Sequence, residues 1–143
     1  MEAEEPKQWI ILRKDLKMRK GKMIAQGAHA SMSVIFGMFD KWMSEYPGEM
    51  DKENEISYRL YEDEGSAVQK WIDGAFTKIA LSVDSEEELI ALYDQAKERG
   101  LPCSLIEDKG LTEFHGVLTK TAIAIGPAYP SQVSDLLGEL KLL

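Results

Sequence analysis

The order of apolar and polar positions divides the chain into short strands and longer helices. Gln8-Trp9-Ile10-Ile11-Leu12 is a continuous run rich in β-formers, which predicts a strand covered on both faces, as in a parallel sheet. Over residues 21–45, Ile24, Ala28, Ser31, Ile35, Phe39 and Trp42 fall within one stripe at helical period, and Pro47-Gly48 stops the pattern. A short helix is expected at 67–73. Residues 76–83 alternate over their second half like a half-covered strand. Ser85 and Glu88 have capping-box spacing, and the acids around them suit the positive end of a helix that ends near Gly100. Residues 101–106 and 121–125 read as the third and fourth strands, and a closing helix at 131–138 leads to the apolar tail 140–143. The order β-α-α-β-α-β-β-α predicts an α/β fold with a four-stranded mixed sheet and helices on both faces.

At 143 residues, of which 44% are hydrophobic, the chain can bury one core without disulfides, so one domain over 1–143 is expected. Residues 44–66 interrupt it with eight acids against Lys52 and Arg59 and no sustained apolar period, which reads as an exposed acidic excursion. The single cysteine, Cys103, lies between Leu101 and Leu105 and reads as a buried thiol in a reducing compartment, with nothing beside it to activate it. Neither a signal-peptide core nor a run of about 18 apolar residues is present, so a cytoplasmic location without membrane contact is expected.

Charge changes this picture at one place. The net charge of −8 argues against a nucleic-acid partner, yet residues 13–22 hold six cations (Arg13, Lys14, Lys17, Arg19, Lys20, Lys22) against Asp15 alone. That split implies a local anion site on an otherwise acidic protein. Lys22 falls in the first turn of the long helix, where unpaired N–H groups already make the potential positive, so the Lys20-Gly21-Lys22 start suits a phosphate or oxyanion. Walker-loop spacing is absent.

Lys22, Gln26, His29 and Ser33 form a polar stripe along that helix, along which a ligand could run, although a lone His among alanines also reads as structural. If the third strand runs parallel to the first, Asp108 emerges at the same sheet edge as the basic loop, beside Lys22. The turn Asp108-Lys109-Gly110-Leu111-Thr112 then offers a carboxylate and a hydroxyl, or is an ordinary Asp/Gly turn. No His/Cys cluster has metal spacing, and no nucleophile elbow is present.

The segments Asp15-Leu16-Lys17-Met18-Arg19-Lys20-Gly21-Lys22, Ala25-Gln26-Gly27-Ala28-His29-Ala30, Gly100-Leu101-Pro102-Cys103-Ser104-Leu105-Ile106 and Leu140-Lys141-Leu142-Leu143 resemble, in order, the archaeal/eukaryotic-type peptidyl-tRNA hydrolase family, Pth2. The resemblance spans the chain apart from the acidic excursion. It implies a small homodimeric α/β enzyme that acts on peptidyl-tRNA and not DNA, hydrolysing the ester between peptide and terminal ribose with neither metal nor cofactor. The family's catalytic residues map onto Lys22, Gln26, Asp108 and Thr112. Lys22 would then stabilise the oxyanion or a phosphate, Asp108 would orient or deprotonate water, and Gln26 and Thr112 would position water and substrate. Arg19, Lys20, His29, Ser104 and His115 are candidate substrate contacts.

Members typically read D-L-K-M-G-K-G-K and D-A-G-R-T-Q at the two site segments. Here Arg19 stands for glycine, Leu111 for arginine and Glu113 for glutamine, and Phe114-His115-Gly116-Val117 departs from the usual Pro-Gly turn. Two other functions fit the basic loop: a noncatalytic tRNA- or protein-binding module on the same fold, and a small anion-binding enzyme with another substrate.

Overall fold

The computed structural model describes residues 4–43, 54–111 and 113–143. Strand β1 (Lys7–Arg13) leads into α1 (Lys20–Phe36) and a hairpin of β2 (Asp40–Met43) and β3 (Ile56–Arg59). There follow α2 (Ala67–Asp73), β4 (Lys78–Val83), α3 (Glu86–Glu98), β5 (Cys103–Asp108) and β6 (Thr119–Ala128). A 3-10 turn, α4 (Ser134–Leu137) and β7 (Lys141–Leu142) close the chain.

The main sheet has the order β5-β6-β1-β4-β7. β1 pairs parallel with β4, with Ile11 opposite Leu81, and antiparallel with β6, with Ile11 opposite Ile123. β5 is antiparallel to β6, so β1, β4 and β5 all run in one direction. The mixed α/β sheet is as expected, but it has five strands rather than four. The fifth is β7, only two residues long and so too short to show a period. It is fixed by Leu142 opposite Leu81, by Ser82 Oγ donating to Lys141 O at 3.3 Å, and by Leu143 N–H donating to Ala80 O at 3.1 Å.

Alternate residues of β1 serve two cores. Trp9 and Ile11 pack with Ile123 and Ile125 of β6 against Leu89, Leu92 and Ala96 of α3. Ile10 and Leu12 join Ala122, Ala124 and Ile106 beneath Ala30 and Val34 of α1. Helices therefore cover both faces. Ser85 Oγ accepts the Glu88 N–H at 3.1 Å, starting α3 as expected, and Gly100, at φ +70°, follows its end.

The long helix is shorter than its sequence pattern. It stops at Phe36 with Gly37 as its cap, and Phe39 and Trp42 lie beyond it, Trp42 in the β2–β3 hairpin. Its buried face is also turned: Gln26, Gly27, Ala30, Ser31 and Val34 are buried, while Ile24 is 73% exposed. Close approach decides this. A methyl group at Gly27 would already lie 3.5 Å from Ile10, and the floor under α1 is Ala122 and Ala124, so small residues win the contact over larger apolar ones. Ser31 Oγ donates to the buried Gln8 Oε1, and Gln8 Nε2 donates to Gly126 O at 3.2 Å, tying α1 to β1 and β6.

Part of the acidic excursion forms β3, whose Ile56 and Tyr58 sit opposite Met43 and Lys41. Residues 44–53 of that excursion lie outside the described residues. No helix among the described residues is long and apolar enough to cross a membrane.

Candidate active site

β1 and β5 are parallel, so the loop leaving β1 and the end of β5 meet at one sheet edge. Met18 is buried and anchors the loop in the α1-side core. One of the six cations is already committed, because Arg13 holds Asp15 through two bonds of 3.1 and 2.6 Å and also donates to Lys120 O. Lys14, Lys17, Arg19 and Lys20 are exposed. Helix α1 starts with no side-chain cap and no acid in its first turn, which leaves its positive end unanswered by its own residues.

Along β5, Ser104, Ile106 and Asp108 alternate onto the α1 face, while Lys22, Gln26 and Ala30 recur every four residues along α1. The two rows meet. Lys22 Nζ donates to Asp108 Oδ2 at 2.5 Å, and Gln26 Nε2 donates to the same oxygen at 3.0 Å. Gly110 N–H donates to Asp108 Oδ1 at 2.6 Å, which closes the turn after β5. Ser104 Oγ donates to Ala30 O at 2.8 Å and is buried, so it fastens strand to helix.

Those donors fix the protonation state of Asp108. The Lys22 hydrogen bond holds its carboxyl below the ordinary range against the opposing push of burial, helped by the Gly110 N–H and by the charges of Lys22 and His29. Asp108 is therefore an ionised acceptor at neutral pH, suited to orienting a water rather than to taking its proton.

Thr121 is the residue that pattern reading missed. Its Oγ1 donates to Gln26 Oε1 at 2.5 Å, which fixes the amide so that Nε2 faces Asp108. Strict alternation would put Thr121 on the α3 face with Ile123 and Ile125. A bulge intervenes: β6 pairs Ala122 with Ile106 but Lys120 with Glu107, leaving Thr121 as the extra residue.

Phe114 is the second addition, its ring centroid 5.5 Å from Lys22 Nζ. Its neighbour Glu113 faces Arg19, so two departures from the family pattern contact each other. His29 is exposed on α1, three residues beyond Gln26, and His115 is exposed in the β5–β6 loop at φ +52°. Leu111 is 84% exposed. Thr112 lies outside the described residues.

A family model described as peptidyl-tRNA hydrolase PTH2 matches residues 6–143. The chain is 35% identical over 134 residues to a peptidyl-tRNA hydrolase of Methanocaldococcus jannaschii, covering 94% of this chain and 96% of the relative. It is 33% identical over 137 residues to one of Methanopyrus kandleri, covering 96% and 97%. A peptidyl-tRNA hydrolase of Halobacterium salinarum is 36% identical over 136 residues, covering 95% and 98%. A solved protein of unknown function from Agrobacterium tumefaciens shares the fold at a TM-score of 0.52 and 12% identity, over 99% of each chain.

Proposed function

This chain belongs to the peptidyl-tRNA hydrolase PTH2 family, and from that premise we propose that Lys22, Asp108 and Gln26 form the centre at which it hydrolyses the peptidyl-tRNA ester. The observation that carries the reading is the convergence of Lys22, Gln26 and the Gly110 N–H on one ionised carboxylate at the mouth of a basic loop.

In the reaction a water oxygen bonds to the ester carbonyl carbon, the bond from that carbon to the ribose oxygen breaks, and peptide carboxylate and tRNA hydroxyl leave. One water proton ends on the ribose oxygen, and the other is released to solvent as the peptide carboxyl ionises. Asp108 accepts a hydrogen bond from the water and aims its lone pair at the carbonyl. Lys22, held by Asp108, donates toward the oxyanion as charge develops on it. Gln26, kept in register by Thr121, positions water and substrate, a role that Thr112 shares.

The exposed Lys14, Lys17, Arg19 and Lys20 give the tRNA phosphates a cationic approach, and the exposed His29 and His115 are further substrate contacts. The protein works in the cytoplasm as a homodimer. An apolar groove of about 360 Å³ between α1 and β4, which includes Ile10, Met23, Ile24, Ala80 and Leu143, is the face a second copy covers.

Turnover of a defined N-blocked aminoacyl-tRNA above the buffer rate, at several salt concentrations and pH values, tests the reading. Binding of tRNA without turnover selects the noncatalytic module instead.

A further inference from the structure

The loop between β5 and β6 touches the start of α1 twice. Phe114 packs into the α1-side core and stands over Lys22, so this part of the loop is fixed. Glu113, the residue before it, turns its carboxylate to Arg19: Oε2 accepts the Arg19 backbone N–H at 3.4 Å, and Oε1 lies 3.8 Å from the guanidinium Nε. Both separations exceed the 2.7–2.9 Å or so of a close charge-assisted bond. The partners also differ in setting, since the Glu113 side chain is 19% exposed and that of Arg19 is 89% exposed. The carboxylate is thus presented by an anchored loop to a guanidinium that is mostly in solvent. Such a pair is weak and readily exchanged.

We propose that Glu113 is a built-in competitor of the substrate: its carboxylate occupies Arg19 at the entrance to the Lys22–Asp108 centre, and a tRNA phosphate displaces it there. The inference rests on the peptidyl-tRNA reading above. Arginine keeps its charge throughout the working pH range, and its planar fork matches two phosphate oxygens as well as two carboxylate oxygens. The exchange therefore keeps the guanidinium paired with an anion and releases the Glu113 carboxylate to solvent. A phosphate on a tRNA also gains Lys20 and the other exposed cations of the loop, which Glu113 does not contact. Glu113 accordingly raises KM, leaving the chemical step to other residues, and favours ligands that carry several phosphates over isolated anions.

The test compares wild type, Glu113→Gln, Arg19→Gln, the double variant and Glu107→Gln. The last removes the same charge one residue from Asp108, where the carboxylate sits 3.9 Å from Lys120 instead of Arg19. For each, kcat and KM are measured on N-acetyl-aminoacyl-tRNA, the Kd of deacylated tRNA by fluorescence anisotropy, and folding by circular dichroism. Glu113→Gln should lower KM and Kd about two- to fivefold with kcat within about twofold, and this gain should vanish in the Arg19→Gln background. Glu107→Gln should give the smaller change. A fall in kcat with KM unchanged would make Glu113 a plain loop tether and overturn the proposal. Unchanged KM and Kd, or an equal gain without Arg19, would overturn it too. Should wild type fail to turn over, the hydrolase reading falls, while the Kd series still decides the role of Glu113.

Discussion

Lys22 and Asp108, 86 positions apart, meet at 2.5 Å because α1 begins where parallel strands β1 and β5 end. Each member explains the other. A lysine in the first turn of a helix is ordinarily unfavourable, and Asp108 supplies the anion that the position lacks. In return, Lys22 holds the Asp108 carboxyl below its ordinary titration range.

That dependence has a sign. A depressed carboxyl pKa contributes stability and function that are present at neutral pH and are lost as the pH falls through the depressed value. Lys22→Ala removes the largest cause of the depression, so Asp108 should titrate at higher pH in that variant. Carbon-13 NMR of the Asp108 carboxyl in both proteins reads this directly, and coincident titrations would contradict it.

Thr121→Val should disturb the site through Gln26. It leaves the buried Gln26 Oε1 without its hydroxyl donor, for a loss of about 1–3 kcal/mol in urea unfolding. It also releases the amide that faces Asp108, so kcat should fall, with Thr121→Ser restoring most of it. Equal kcat values for Val, Ser and wild type would show that Gln26 needs no such orientation.

Ala124→Leu tests the close seating of α1. The added side chain would enter the packed cluster of Ala124 with Ala30 and Ile10, and overpacking there should destabilise by about 1–3 kcal/mol. Because α1 carries Lys22 and Gln26, activity should drop even at temperatures where the variant remains folded. Full activity in a folded variant would mean that the site tolerates movement of the helix.

Ile24→Glu addresses the proposed homodimer. In sedimentation equilibrium wild type should be dimeric and this variant shifted toward monomer, since the charge falls in the apolar groove beside α1. A monomeric wild type, or a dimer indifferent to the substitution, would place the interface elsewhere or remove it.

Much of the architecture was legible because it depends on local signals. The run 8–12, the Ser85/Glu88 cap and the 67–73 helix needed only neighbouring residues, and parallel β1 and β5 sufficed to bring Asp108 to Lys22. What stayed hidden is set by contacts distant in sequence. The buried face of α1 follows from the alanine floor of β6, so Ile24 points outward despite its hydrophobicity. Thr121 reaches the site only through a bulge, and β7 exists only as the partner of β4. The charge count of the basic loop likewise gave no hint that Arg13 is already committed to Asp15.

The most direct test of the account is single-turnover hydrolysis of a defined peptidyl-tRNA by wild type and Asp108→Asn, with tRNA affinity measured on the same samples. The Lys22–Asp108 centre predicts that wild type cleaves the ester and that Asp108→Asn cleaves it at least about 100-fold more slowly, with tRNA Kd changed by less than about threefold. Cleavage by Asp108→Asn within about threefold of the wild-type rate would contradict it.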